Sequence, residues 1–303
     1  MTMNVLKGSP KTIDLASRQL KDEAIHALQL NDEQRITAVW GLKSQWIPYP
    51  LANSIFHQAE ELLERAPAQR LPCVLAFGEP NTGKTSLYKR YLQRHPIELN
   101  LTGDAIQAKV IGVEIGGPEE GLFYDSLLAA VGAPFRGSAT VEKKLHQVLQ
   151  ILSRIGTRQL LIDELNTAIS GPLLKQKKFL MRLKFLANEL GLTIFATGTQ
   201  DAKLAIAVDA QISSRFKHVF ELKPWTFDKE FRKLLVNFEE RLPLRQASEL
   251  QEPRLAMRLR DLSEGYMGDL AELLMQASAL AIKTKTERID LELLGRLNFK
   301  TGR

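Results

Sequence analysis

The chain has 303 residues, of which 44% are hydrophobic and 25% are charged, a composition typical of a soluble globular protein with one large and one smaller domain. No apolar run reaches the roughly 18 residues that a membrane-spanning helix requires, and the N-terminus lacks the apolar stretch of a secretory signal. A single cysteine, Cys73, excludes an internal disulfide. We therefore expect a cytoplasmic protein without a membrane partner, whose net charge of +6 permits a polyanionic partner but does not require one.

Residues 1–50 form an N-terminal extension with short helical patterns and turn residues. The extension ends in the sequence Trp46-Ile47-Pro48-Tyr49-Pro50. Because proline lacks an amide donor and restricts the residue before it, this ending predicts a rigid aromatic lead-in rather than a helix. An amphipathic helix should follow and end before Pro67.

Short apolar runs alternate with helical patterns through residues 51–225. The apolar runs cover residues 74–77, 110–115, 159–162, 193–196 and 218–222, and the helical patterns cover residues 84–93, 121–131, 141–155 and 173–190. Such alternation predicts an α/β domain with a parallel five-stranded sheet and helices on both faces. After Pro224 the apolar residues recur at helical spacing only, which predicts a small all-helical lid domain over residues 226–303.

A phosphate-binding motif follows the first apolar run. The segment Gly78-Glu79-Pro80-Asn81-Thr82-Gly83-Lys84-Thr85 matches G-x-x-x-x-G-K-[ST] in full, and Ser86 adjoins it. Glycine lets such a loop turn its amides toward phosphate oxygens, and the N-terminus of the helix that follows favours an anion. Lys84 should reach the β- and γ-phosphates of a nucleotide, while the Thr85 hydroxyl should bind Mg²⁺. The strand before the loop and the helix after it argue against a chance glycine turn.

Two carboxylates end the third apolar run, at Asp163 and Glu164. Open α/β folds bind their ligands at the carboxyl ends of the strands, so this pair should face the same site as the P-loop. We expect Asp163 to hold Mg²⁺, directly or through water. Glu164 should orient and activate the water that attacks ATP, because phosphoryl transfer depends mainly on positioning and charge stabilisation.

Two further segments narrow the class of P-loop protein. The run 193–196 continues into Thr197-Gly198-Thr199, where AAA+ proteins place a polar residue that senses the γ-phosphate. We expect Thr199 to have this role, with Thr197 as the second candidate and an ordinary strand end as the alternative. Arg215 lies in residues 211–216, which resemble the AAA+ segment that carries an arginine finger for a neighbouring subunit. The alternative for Arg215 is a structural salt bridge.

A basic segment lies between Glu164 and Glu189, where the sequence has no acidic residue. Its basic residues are Lys175, Lys177, Lys178, Arg182 and Lys184. A run of this kind is most often a solvated helix face.

Together these features resemble the TniB family, whose members are AAA+ ATPases of DNA transposons related to TnsC, the target-selection regulator of CRISPR-associated transposons. The resemblance extends from about residue 35 to about residue 295. Besides the P-loop, the acidic strand end and residues 214–216, the matching segments are 46–50, Phe123-Tyr124, Gly132-Ala133-Pro134, Asn188-Glu189-Leu190, Gly198-Thr199 and Leu242-Pro243-Leu244-Arg245. A P-loop is common to many proteins, and its combination with the lead-in and the Leu-Pro-Leu-Arg segment is far more specific.

The resemblance implies an ATP-dependent ring or filament of identical subunits around duplex DNA. Such an assembly contacts the DNA backbone without reading bases, recruits or activates the transposase and meets the target-selection proteins of the same transposon. It implies that Trp46, Ile47, Pro48 and Tyr49 border the adenine pocket. It also implies DNA contacts from a loop at Arg136–Thr140 and from Lys175, Lys177 and Lys178. Asp269 departs from related ATPases, which often place a phosphate-touching arginine there, so the sensing role of the lid stays unassigned.

A replication initiator or helicase loader of the AAA+ class is the alternative function. It shares the core, the finger and the DNA contact, and it usually carries an added winged-helix or helix-turn-helix domain, for which we expect no room after the lid. A signalling GTPase would need a guanine-specifying Asn-Lys-x-Asp stretch, and a small-molecule kinase would need a cluster of arginines for the substrate phosphate. We find neither in the sequence.

Overall fold

The computed structural model describes residues 19–98 and 106–301. Residues 1–18, part of the predicted extension, lie outside the described residues, as do 99–105 and 302–303. Two compact units divide the chain: one is Pro48–Pro224, and the other combines the described residues of Met1–Ile47 with those of Trp225–Arg303. We refer to them as the α/β unit and the helical unit.

Helices and strands occur in the following order within the described residues. They are α1 (Asp22–Leu28), α2 (Asp32–Gly41), α3 (Pro50–Glu64), β1 (Val74–Gly78), α4 (Lys84–Arg94), β2 (Val110–Glu114), α5 (Glu120–Ala130), α6 (Val141–Arg154), β3 (Gln159–Asp163), α7 (Leu165–Ala168), α8 (Leu173–Leu190), β4 (Thr193–Gly198), α9 (Gln200–Val208), α10 (Ala210–Ser213), β5 (His218–Leu222), α11 (Lys229–Glu239), α12 (Pro253–Leu262), α13 (Met267–Lys283) and α14 (Leu291–Arg296). Among these described helices, none is long and apolar enough to cross a membrane.

The strands of the α/β unit form one parallel sheet in the order β2-β3-β4-β1-β5. This arrangement confirms the predicted α/β class and the five-stranded parallel sheet. Strands β1, β3 and β4 are buried along their whole length, which explains why their sequences are continuous apolar runs rather than alternating ones. Because β4 lies between β1 and β3, its carboxyl end lies between the P-loop and the acidic pair.

Helices on the sheet fix the strand ends in place. An apolar cluster packs α5, α6 and α8 against the sheet, with Phe123 of α5 edge-on to Phe179 of α8 at 5.3 Å between ring centroids. Tyr91 of α4 donates a hydrogen bond of 2.7 Å to Gln159 at the start of β3. Gln159 in turn donates to the Ala59 carbonyl of α3 at 3.1 Å. These buried polar contacts fix α3 and α4 relative to β3.

The helical unit joins the N-terminal helices to the C-terminal ones. Arg35 of α2 is fully buried and forms a two-pronged ion pair with Glu287, with N–O distances of 2.8 and 2.5 Å. It also donates to the Pro243 carbonyl at 2.7 Å, and the Arg245 amide donates to Glu287 at 3.1 Å. Residues that the sequence assigns to an extension therefore share a compact unit with the helices of the predicted lid.

Candidate nucleotide-binding site

The P-loop connects β1 to α4 through a backbone that requires small residues. Gly83 precedes α4 with φ of 95°, and Asn81 has φ of 63°, both in the left-handed region. At Gly78 an added Cβ would lie 2.4 Å from the Leu222 carbonyl oxygen of β5, so the strand end has no space for a side chain. The loop is thereby wrapped over the N-terminus of α4, whose first amides have no partner within the helix.

Lys84 is nearly buried at the start of α4. Its ammonium donates to the carbonyls of Gly78 and Glu79, at 2.9 and 2.8 Å. Burial lowers the pKa of Lys84, and the carboxylates of Glu164 and Asp163 partly oppose that shift. The lysine therefore lies in the electrostatic field of the acidic pair, as the sequence predicts for one common site.

Asp163 ends β3 and is almost fully buried. Its Oδ1 accepts hydrogen bonds from the Thr197 hydroxyl of β4 and, at 3.1 Å, from the Glu164 amide. Within the described residues both bonds use Oδ1, which leaves Oδ2 for a metal ion or its water. Asp163 is thus fixed by the neighbouring strand in an orientation suited to a metal ligand.

Glu164 follows directly, with an unusual backbone. Its φ of 56° lies in the left-handed region, which is uncommon for a residue other than glycine and often marks a functional site. Its Oε2 accepts a hydrogen bond of 2.9 Å from the side-chain amide of Asn166. The Oδ1 of Asn166 accepts the Thr199 amide at 3.1 Å. Sequence reasoning missed Asn166, because an asparagine after a strand carries no motif of its own.

The two strand-end threonines have different surroundings. Thr197 is fully buried and donates to Asp163. Thr199 follows the strand, and its hydroxyl is buried without a hydrogen-bond partner among the described residues. The assignment of a γ-phosphate sensor stays a prediction, with Thr199 as the first candidate from the sequence and Thr197 as the second.

The donor set fits a magnesium nucleotide. The P-loop amides, the Lys84 ammonium and the start of α4 offer positive charge to phosphates, and exposed hydroxyls of Thr85 and Ser86 follow in the first turn. Thr85 and Asp163 offer a hydroxyl and a carboxylate, and oxygen atoms of this kind suit Mg²⁺ beside phosphates.

The predicted adenine lead-in is divided between the two units, with Trp46 and Ile47 in the helical unit and Pro48 and Tyr49 in the α/β unit. Ile47 lines a small, mostly apolar cavity of the helical unit with Leu42, Phe238, Arg241, Leu242, Ala271, Leu274 and Met275. Tyr49 is buried before α3, and burial raises the pKa of its hydroxyl. A contact of these residues with adenine stays a prediction.

Arg215 lies beside the amino end of β1, whereas the P-loop follows the carboxyl end of the same strand. The Arg215 carbonyl accepts the Cys73 amide at 2.7 Å, just before β1 begins. Since β1 has five residues at about 3.3 Å each, the P-loop lies about 16 Å further along. The guanidinium is nearly buried and donates to Asn188 Oδ1 at 2.6 Å. Arg215 is therefore not placed to serve its own site.

Only part of the basic segment is unpaired. Lys178 and Arg182 of α8 each lie 3.4 Å from a carboxylate oxygen of Glu120, the first residue of α5. Lys175 and Lys177 are exposed and form no ion pair within the described part of the chain. An acidic neighbour from another helix thus offsets charges that look unopposed in the sequence.

The second predicted DNA segment follows the other end of α5. Arg136 is exposed in this loop, whereas the Thr140 hydroxyl caps α6 by accepting the Lys143 amide at 3.3 Å. Lys178 and Arg182 pair with the first residue of α5, whereas this loop follows its last residue, about 16 Å further along the helix.

Asp269 lies in the first turn of α13, where a negative charge is favoured by the helix dipole, and it is nearly buried. Asp269 at this position is expected to stabilise the start of α13 within the helical unit.

Solved structures with this fold are known from DNA replication. The ORC1 protein of Aeropyrum pernix in complex with DNA matches with 17% identity and a TM-score of 0.60, over 82% of this chain and 65% of that one. The ORC2 protein of the same organism, in ADPNP–ADP complexes, matches with 15% identity and a TM-score of 0.58, over 80% and 65%. Domain III of the Thermotoga maritima replication initiation protein DnaA matches with 16% identity and a TM-score of 0.51, over 82% and 91%. The chain thus spans about two thirds of the length of either ORC chain.

The fold and the site together define an AAA+ ATPase. The P-loop and the acidic pair end two strands of one parallel sheet, and the strand between them carries the hydroxyl that holds Asp163. A sequence profile described as bacterial TniB protein matches residues 37–227, and the chain belongs to the TniB family. No curated protein matches the sequence.

Proposed function

We propose that this protein is an ATP-dependent, DNA-binding regulator of DNA transposition that acts in the cytoplasm. It assembles on target duplex DNA as a ring or filament, hydrolyses ATP with Mg²⁺, and recruits or activates the transposase together with target-selection proteins of the same transposon. The observation that carries the proposal is the convergence of the P-loop and Asp163-Glu164 on either side of β4, in a chain of the TniB family.

In the proposed hydrolysis, each residue of the site has a separate task. The P-loop amides and Lys84 bind the phosphates, and Thr85 and Asp163 hold Mg²⁺, which neutralises charge on the phosphate oxygens. Glu164 orients the attacking water, and Arg215 of a neighbouring subunit completes the site. The position of Arg215 beside the amino end of β1 supports action on another molecule rather than on its own nucleotide.

Binding to the DNA backbone is supported by the exposed lysines of α8. Lys175 and Lys177 follow Gly171-Pro172 at the start of the helix, where flexible ammonium groups and helix amides can both meet phosphates. The structure of ORC1 in complex with DNA gives a second line of support, since this chain shares its fold.

An assay of nucleotide hydrolysis tests the proposal. ATP and GTP should be compared with and without duplex DNA of two unrelated sequences, and the DNA-bound protein should be imaged by electron microscopy. We expect ATP hydrolysis, and closed rings or filaments on either DNA only with ATP. Under the same conditions the assembled protein should retain the transposase of its own transposon. Hydrolysis without assembly on DNA, or assembly that retains no transposase, contradicts the transposition role.

A replication initiator or helicase loader is the second candidate, because the solved structures named above include ORC and DnaA proteins. Retention of a replicative helicase rather than a transposase on the same DNA would favour it.

A further inference from the structure

Asn166 occupies a bridging position in the proposed catalytic site that no motif assigns. It lies in α7, two residues after Glu164, and its side chain is half-buried. The amide nitrogen donates to Glu164 Oε2 at 2.9 Å, and Oδ1 accepts the Thr199 amide at 3.1 Å. A carboxylate can only accept and a backbone N–H can only donate, so these two partners fix which way the side-chain amide points.

Glu164 depends on this contact for its orientation. Within the described residues, Asn166 is the one hydrogen-bond donor to the Glu164 carboxylate. The left-handed backbone at Glu164 sets the direction in which its side chain leaves the strand, but it does not fix the outer torsions. A single anchored donor therefore decides where the carboxylate oxygens lie.

The anchor itself, the Thr199 amide, lies directly after β4. Gly198 precedes Thr199, and a Cβ at Gly198 would lie 2.7 Å from the Ala202 Cβ and 3.4 Å from Asn166 Oδ1. The missing side chain allows the end of β4 to approach Asn166 closely. Asn166 thereby connects the end of β3 to the end of β4, on which Thr197 also holds Asp163.

We propose that Asn166 is a positioning residue for ATP hydrolysis, which holds the Glu164 carboxylate in register with the end of β4. The inference rests on the proposed ATPase function. Asn166 acts through Glu164, so its loss should slow turnover without weakening nucleotide binding. Displacement of a catalytic group by about 1 Å can cost about 100-fold in rate, which sets the scale of the effect.

Two substitutions separate positioning from simple space filling. Asn166→Asp keeps the shape and the acceptor for the Thr199 amide, but it removes the donor and places a second negative charge beside Glu164. Asn166→Ala removes both hydrogen bonds. Gln176→Ala is the matched control, because Gln176 lines the same surface cavity and uses its amide on the Gly171 carbonyl at 2.9 Å.

The experiment measures kcat, KM, the Kd of a fluorescent ATP analogue and the melting temperature in the full-length protein. We expect kcat to fall about 10- to 100-fold in both Asn166 variants, with the larger fall in Asn166→Asp, while Kd stays within about twofold of wild type. Gln176→Ala should keep the wild-type kcat.

Three outcomes overturn the inference. They are a wild-type kcat in both Asn166 variants, a wild-type kcat in Asn166→Asp alone, which would indicate that only shape matters, and a Kd that rises in step with the fall in kcat. A wild-type protein that hydrolyses no ATP contradicts the proposed function itself, and the inference falls with it.

Discussion

Lys84 carries its charge in a nearly buried position, where two loop carbonyls hold the ammonium. Burial lowers its pKa, so the folded site stabilises the charged form less well than water does. A phosphate chain would supply the missing negative partner. Lys84 is therefore expected to act mainly on nucleotide affinity, whereas Glu164, on the other side of β4, is expected to act on turnover.

The contrast between these residues gives the first prediction. Lys84→Ala should abolish measurable ATP binding, because it removes the counter-charge of the phosphates. Glu164→Gln should bind ATP normally and lose hydrolysis about 100-fold or more, because the proposed metal ligand Asp163 survives while the proposed activation of water by Glu164 is lost. Binding by calorimetry and phosphate release check both variants.

Lys89→Ala is a suitable control, since Lys89 is exposed on the same helix. If both site variants lose ATP affinity equally, Glu164 has been assigned the wrong role.

Residue-scale prediction from sequence succeeds where a motif is contiguous and fails where partners come from separate strands. The P-loop needs one loop and one helix, so its spacing alone predicts the site. The bond from Thr197 to Asp163 depends on strand order, and the contact of Asn166 with Thr199 depends on close packing at Gly198. Neither hydrogen bond can be predicted from the local sequence pattern.

Among the elements, continuous apolar runs predict the three inner strands β1, β3 and β4 well because an inner strand of a parallel sheet is buried on both faces. The outer strands β2 and β5 are partly exposed. The place of α2 in the helical unit is not predictable in this way. Arg35 and Glu287 are 252 positions apart, and their buried ion pair joins α2 to the segment between α13 and α14. An arginine in an amphipathic helix gives no sign that it will be buried.

This pair leads to the second prediction. Arg35→Ala should lower the free energy of unfolding of the helical unit by about 3–5 kcal/mol, because it leaves the Glu287 carboxylate buried without its partner. Replacing both residues, as Arg35→Met with Glu287→Leu, should cost less than Arg35→Ala alone. Urea unfolding followed by circular dichroism checks the order of the variants.

The same pair predicts a dependence on pH. Burial alone raises the pKa of Glu287, but hydrogen bonds from Arg35 and from the Arg245 amide outweigh it and hold the pKa below its usual range. A carboxylate with a depressed pKa stabilises the fold above its unfolded-state pKa of about 4.3, and this contribution is lost as the pH falls further. The stability difference between wild type and Glu287→Gln should therefore shrink below about pH 4. A difference independent of pH would contradict the assignment.

At the scale of the whole molecule, the proposed finger role of Arg215 implies a second copy of the chain. It lies about 16 Å along β1 from the P-loop that follows the same strand. Arg215→Ala protomers should therefore bind ATP but hydrolyse it poorly, and mixing them with Lys84→Ala protomers should restore part of the activity. Mixed interfaces can pair an intact P-loop with an intact arginine.

Asn188→Ala is the matched control for Arg215. It removes the hydrogen bond of 2.6 Å that holds the guanidinium but leaves the charge in place. Hydrolysis should survive in Asn188→Ala if Arg215 acts on a neighbour. Equal losses of activity and melting temperature in both variants, with no recovery on mixing, would indicate a structural role.

The last prediction concerns DNA binding, and the ion pairs of α8 indicate which of its cations are available for it. Lys175 and Lys177 have no acidic partner in the described part of the chain, whereas Glu120 offsets Lys178 and Arg182. Lys175→Ala with Lys177→Ala should weaken binding equally for unrelated duplexes and reduce the log–log salt slope by about 0.9 per lost phosphate contact. Lys178→Ala alone should have a smaller effect, and Glu120→Gln should strengthen binding because it releases two cations. ATP binding should stay unchanged in all of them.

Lys229→Ala with Lys283→Ala removes the same charge from the helical unit and serves as the control. Wild-type affinity and slope in the first pair would make this segment a solvated helix face, and the contact would then be sought at Arg136.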